Sequence, residues 1–216
     1  MSKNKRVANV HLHHSKQKMD ARVRRTRDAL GDALVALIQE KPFDAITVQN
    51  VLDRAGVGRS TFYLHFSNKD DLLMSDADEF FERISMALSI HNDPSDRVAP
   101  VREFFAHVRD MRQFFDALIK SGKVHENLEL ARGHFARGIE RRLAESPRGK
   151  GIPASERPAI AFAQAGALLS LLTWWLDRGM RESPDHMDEL FHRMVWTGVS
   201  STNVELSGRA QHNALL

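Results

Sequence analysis

Along most of this chain apolar residues recur at intervals of three and four, and no stretch alternates apolar with polar as a half-buried strand requires. That spacing gathers side chains on one face of a helix, so the fold class it implies is all-α. Leu30, Ala33, Leu34, Leu37 and Ile38 form the first stripe, which stops at Lys41-Pro42 because proline cannot continue a helix and restricts the residue before it. Thr47 can cap a short second helix with Val48, Val51, Leu52 and Ala55 inward, and Gly56-Val57-Gly58 breaks it. A third helix begins at once, with Phe62 and Phe66 four apart on one face. Ser67 and Asp70 suit a capping box for a fourth, which carries Leu72, Leu73, Phe80, Phe81, Ile84 and Leu88. Further stripes at 98–108, 114–119, 128–143 and 156–179, and one starting at Ser183-Pro184, bring the expectation to about nine helices.

With 216 residues, 42% of them hydrophobic, the chain can bury a core, and the absence of cysteine excludes disulfides, thiol catalysis and thiolate metal sites. The uncharged run 159–176 reaches only the lower limit of a membrane span, and its five alanines with Gln164, Gly166, Ser170 and Thr173 make it read as a buried helix. No apolar segment follows the opening Met1-Ser2-Lys3-Asn4-Lys5-Arg6, so no secretory signal is expected and the cytoplasm is the expected compartment. Residues 1–27 hold nine Lys or Arg against the single acid Asp20, while the chain as a whole is only +3. A basic arm beside a near-neutral body implies a polyanion partner, since each cation placed near a phosphate releases condensed counterions.

Two short helices joined by a glycine turn, the second opening with polar residues, make the outline of a helix-turn-helix, whose second helix fits a DNA major groove. The run Thr47-Val48-Gln49-Asn50-Val51-Leu52-Asp53-Arg54-Ala55-Gly56-Val57-Gly58-Arg59-Ser60-Thr61-Phe62-Tyr63-Leu64-His65-Phe66-Ser67-Asn68-Lys69 closely resembles the DNA-binding segment of TetR-family transcription regulators. The resemblance implies Thr47 at a phosphate, Gln49 near base edges, Arg59, Ser60 and Thr61 in the groove, Tyr63 and His65 at backbone phosphates, and Lys69 at a phosphate beside the fourth helix. Gly58 departs from the usual serine cap, and Leu52 from the usual alanine. The helices of 156–179 and 184–202 look like the pair through which one subgroup of the family dimerises. Ala163, Gly166, Ser170, Trp174, Phe191, Met194 and Val195 are the expected interface, small residues permitting close approach.

The expected organisation is therefore a flexible basic arm (1–23), a three-helix helix-turn-helix domain (24–70), a helical effector-binding and dimerisation domain (71–203) and a flexible tail (204–216). Phe104, His107, Val108, Met111, Phe115 and Trp175 are candidates to line a pocket for a largely apolar effector. His11-Leu12-His13-His14 lacks nearby carboxylates, and His186, Glu189 and His192 form no His-Glu-x-x-His, so no metal or cofactor is expected. Neither a phosphate-cradling Gly-x-x-x-x-Gly-Lys nor a Gly-x-Ser-x-Gly is present, which argues against an enzyme. The reading is a homodimeric regulator that binds a palindromic site on double-stranded DNA, most simply a repressor released by a small molecule, with no membrane partner. Two alternatives are a co-regulator acting through protein contacts of its C-terminal domain, and a helical ligand-binding protein or enzyme.

Overall fold

A computed structural model describes residues 3–91 and 93–197. The chain folds as two compact units, Met1–Asp76 with Gln113–Lys123, and Ala77–Arg112 with Val124–Leu216. Among the described residues there are ten helices and no strand. They are α1 (Lys3–Glu40), α2 (Val48–Ala55), α3 (Arg59–Tyr63), α4 (Lys69–Ser85), α5 (Ala87–Ile90), α6 (Val101–Asp110), α7 (Arg112–Lys120), α8 (Val124–Glu145), α9 (Arg157–Asp177) and α10 (184–197). The extra helix over the expected nine arises at Met86, where one residue separates α4 from α5.

In the first unit the stripe of Leu30, Ala33, Leu34, Leu37 and Ile38 is buried together with Phe43, Ile46, Val51, Leu52, Phe62, Phe66 and Leu72. Within the arm expected over 1–23, residues 3–23 are helical and continuous with the rest of α1. Residues 2–30 hold neither glycine nor proline and are rich in Lys and Arg, both good helix formers. Gln113–Lys123, expected in the effector domain, folds with the first unit, where Leu118 is buried and the Lys123 ammonium lies 2.6 Å from Asp70. The cap of α4 sits one residue later than Ser67–Asp70. Asn68 Oδ1 accepts from the Asp71 amide at 2.9 Å, and Asp71 Oδ2 accepts from the Ser67 amide at 2.8 Å. The expected tail, 204–216, lies outside the described residues.

The second unit is organised by α8 and α9. α8 buries Ala131, Phe135, Ile139 and Leu143, and Phe135 meets Phe104 of α6 at 4.9 Å between ring centroids. At Gly138 the backbone of α8 runs so close to the Ser85 carbonyl that a β-carbon would overlap it. α9 is long and apolar enough to cross a membrane, and only a third of its apolar window is buried within the protomer. Ala161, Ala165, Leu168, Leu169, Leu172 and Trp175 form that buried side, and Trp175 packs on Phe105 with ring centroids 4.8 Å apart.

A polar network ties residues 93–99 to α8 and α10. The buried guanidinium of Arg142 donates to the carbonyls of Arg97, Asp93 and Ser95 at 2.9–3.1 Å. Arg97 in turn pairs with Asp188 at 2.8 Å and with Glu103. Burial pushes the Asp188 carboxyl up, but hydrogen bonds from His192 and Arg97 outweigh it and bring its pKa down to about 2. The folded value lies below the ordinary 3.8, so this stabilisation is complete above pH 3.8 and is lost as pH falls through about 2. Acid unfolding of Asp188→Asn should lack a component worth about 2 kcal/mol in that window. Superimposable stability–pH curves below pH 4 would contradict it.

Candidate nucleic-acid interface

The site is built from the capping of α2 upward. Thr47 Oγ1 accepts from the Asn50 amide at 3.2 Å and Asn50 Oδ1 accepts from the Thr47 amide at 3.1 Å, a reciprocal cap that fixes where α2 begins. Lys41 Nζ donates to the same Asn50 oxygen at 2.7 Å. α2 ends at Gly56, whose φ of +64° suits a residue without a β-carbon, and the Val57 amide closes the turn on the Leu52 carbonyl at 3.2 Å. Gly58, standing where a side-chain cap would sit, makes no side-chain cap bond to α3.

α3 is anchored by Phe62, which is fully buried against Phe66 at 5.8 Å between centroids. Arg27 of α1 covers the outer side of Phe66, 4.9 Å from its centroid, and donates to Ser75 Oγ at 2.6 Å. With Phe62 turned inward, helical geometry turns its neighbours outward. Arg59, Ser60 and Tyr63 are exposed, with Thr61 and His65 half-buried beside them. An exposed guanidinium, two hydroxyls and a phenol on one short helix can offer hydrogen bonds to base edges and phosphates.

The remaining expected residues divide. Thr47 and Gln49 are exposed, the Thr47 O–H still able to donate beyond its cap, while Gln49 Nε2 donates to Asp53 Oδ1 at 2.7 Å. Lys69 is turned inward. Its ammonium donates to the carbonyls of Phe43 and Ile46 at 2.6 and 2.8 Å and lies 4.4 Å from the Phe43 ring centroid. Sequence reading missed Lys41 and Phe43, which hold the segment before α2. Pro42 marks a turn there, but nothing in the residue pattern says which carbonyls the turn would offer.

A profile of bacterial regulatory proteins of the tetR family matches residues 30–75, which span this site, and a profile described as a transcriptional regulator C-terminal region matches residues 100–196. The chain belongs to the TetR family. Its members are transcriptional regulators rather than enzymes. Relatives of this TetR-family chain include two HTH-type transcriptional regulators of Bacillus subtilis. YxbF is 32% identical over 81 residues, 37% of this chain and 21% of its own length. YdeS is 29% identical over 111 residues, 48% of this chain and 52% of its own. The matches thus cover about a fifth to a half of these relatives. Among solved structures, a TetR transcriptional regulator from Streptococcus agalactiae is 23% identical with a TM-score of 0.57, covering 83% of this chain and 98% of that one. The dihydroxyacetone kinase operon activator DhaS is 17% identical with a TM-score of 0.58, covering 81% of this chain and 96% of that one. The fatty acid degradation regulator FadR of Bacillus halodurans gives 20% and 0.58, over 79% and 94%. These likenesses are of fold.

Within this TetR-family fold the expected dimer residues separate into two sets. Ala163, Ser170, Trp174 and Met194 are exposed, and at Gly166 the position a β-carbon would take has nothing within 4 Å. Phe191 and Val195, by contrast, are fully buried inside the protomer. They are core residues because α10 turns that stripe toward its own chain. The expected pocket residues are divided between the two units. Phe104, Val108 and Trp175 are fully buried in packing of the second unit, and Phe115 belongs to the first. His107 stacks on Phe80 at 4.4 Å, and burial, reinforced by the nearby Arg83 charge, holds its pKa below the ordinary value. An open cleft of about 550 Å³ exists elsewhere, where Arg83, Arg137 and Arg141 line the walls with Glu79 and Glu82 above Met86 and Ile90. Among the described residues no three His, Asp or Glu side chains are grouped to hold a metal ion.

Proposed function

We propose that this chain is a homodimeric, sequence-specific DNA-binding regulator of the cytoplasm that represses from a palindromic site and leaves it when a small molecule binds. The observation that carries the reading is the exposed row Arg59, Ser60 and Tyr63 on α3, held outward by buried Phe62 and joined by a short turn to the reciprocally capped α2. Thr47 and Gln49 add contacts from α2, with Thr61 and His65 at the edge. Two copies would set their α3 helices about 34–36 Å apart, one turn of DNA. Selection of bound fragments from random duplex DNA tests it directly. A palindrome should be enriched, and Arg59→Ala should flatten the preference at one base pair by about 1–3 kcal/mol. Enrichment of no sequence would sink the reading. Transcription from the recovered palindrome, with and without the protein, reads the sign.

The partner copy is assigned to α9. Its exposed side carries Phe162, Ala163, Gly166, Ser170 and Trp174, and Met194 of α10 is also exposed. So much apolar surface on a helix whose opposite side is already packed suits a second copy of the same helix. Gly166→Arg should convert a dimer into a monomer at micromolar concentration in sedimentation, with melting of the protomer little changed. A dimer unaffected by it would place the interface elsewhere. For the effector, the three guanidiniums of the cleft favour a small molecule with an anionic group over a wholly apolar one.

A further inference from the structure

The first residue of α4 is a poor place for a cation. The helix dipole puts partial positive charge at that end, and α4 already answers it with Asp70 and Asp71 in the first turn. Lys69 nevertheless stands there, and its ammonium is directed away from its own helix. It lies 2.6 Å from the Phe43 carbonyl, 2.8 Å from the Ile46 carbonyl and 4.4 Å from the Phe43 ring centroid. An ammonium has three donors, of which the two carbonyls take two, while the face of the Phe43 ring lies against its charge. Both carbonyls belong to buried residues, and Ile46 immediately precedes Thr47, the cap of α2.

Two more cations complete the arrangement. Lys41 holds the Asn50 side of the same cap at 2.7 Å. Lys123 binds Asp70 at 2.6 Å and lies 5.8 Å from the centroid of the same Phe43 ring. The segment 43–47 is therefore pinned to the start of α4 on one side and to the cap of α2 on the other. Where α2 begins decides where Gln49 sits and how α3, joined to it by only three residues, is held.

We propose that Lys69 is a positioning residue for DNA reading: it fixes the start of α2 through the Phe43 and Ile46 carbonyls and does not contact phosphate. Its effect on DNA rests on the DNA-binding reading above, whereas the clamp itself can be read without DNA. A phosphate contact tolerates any cation of similar reach, but a clamp on two carbonyls beside a ring needs a compact ammonium on a stem of this length.

The test compares Lys69→Met and Lys69→Arg with the unaltered full chain on a duplex recovered by selection from random DNA. Lys69→Met should lose roughly tenfold in affinity at every salt concentration, the size expected for losing a charged hydrogen bond, and keep the slope of affinity against salt. Lys69→Arg should fail to restore affinity. In the DNA-free protein, amide hydrogen exchange over residues 43–50 should quicken in both variants while exchange in α8 stays unchanged. A slope lower by about 0.9 in Lys69→Met, with full affinity in Lys69→Arg, would make Lys69 a phosphate contact and overturn the proposal. Unaltered exchange over 43–50 would overturn it as well. Were the unaltered chain to bind no duplex, the DNA reading would fall, and exchange over 43–50 alone would still decide the clamp.

Discussion

Arg142→Met is expected to lower unfolding free energy by about 3–4 kcal/mol, a large loss for one side chain. The stem of methionine fills much of the space, so the loss isolates the guanidinium from the volume it occupies. That group donates to the carbonyls of Arg97, Asp93 and Ser95, and without it these acceptors lose the one side chain that joins all three to α8. Urea unfolding followed by circular dichroism measures it. A loss under about 1 kcal/mol would mean that water serves these carbonyls as well as arginine does. Arg142→Lys should recover only part of the difference, because a single ammonium cannot span the three acceptors that a planar fork reaches.

The second large effect is one of sign. Gly138→Ala and Gly133→Ala are the same change on the same helix, five residues apart, and intrinsic propensity favours both by about 1 kcal/mol. At Gly133 an added β-carbon meets only the end of the Arg137 side chain at 3.5 Å, ordinary contact. At Gly138 it would run into the Ser85 carbonyl, a backbone atom that can move only if α8 and the end of α4 part. Gly133→Ala is therefore expected to raise the melting temperature by a few degrees. Gly138→Ala should lower stability by about 1–3 kcal/mol despite the same propensity gain. Equal shifts in one direction would show that the helix crossing at Ser85 is looser than its geometry states.

What was legible in the sequence was local. Thr47, Gly56, Phe62 and Phe66 announce themselves because a cap, a left-handed turn and a four-residue aromatic spacing are determined by neighbours within one or two helical turns. Ser67 and Asp70 read as the cap of α4, and the choice of Asn68 over Ser67 depends on where the chain leaves α3, which the local pattern does not fix. Placement across distance was harder to read. A stripe of Met187, Phe191 and Val195 says that α10 has an apolar face, but not whether that face meets its own chain or another. Burial of Phe191 and Val195 with exposure of Met194 answers that for the protomer. The inward turn of Lys69 and the membership of Gln113–Lys123 in the first unit depend on partners 23 to 53 residues away, for which no residue pattern carries a signal.

The network around residues 93–99 also dictates an order of assembly. Its carbonyls are claimed by Arg142, which follows them by 45 to 49 residues, and Arg97 and Asp96 by Asp188 and Trp196, 91 and 100 residues further on. A chain leaving the ribosome exposes this loop long before any of those partners exists, so its amides and carbonyls begin life bonded to water. Closing such wide spans carries an entropic cost that rises with length, which makes the loop one of the last parts to settle, after α8 and α10 have formed and docked. Until α10 emerges, the nascent second unit holds Arg97 without its Asp188 partner, and the completed knot is the mark of a chain that has been synthesised through α10.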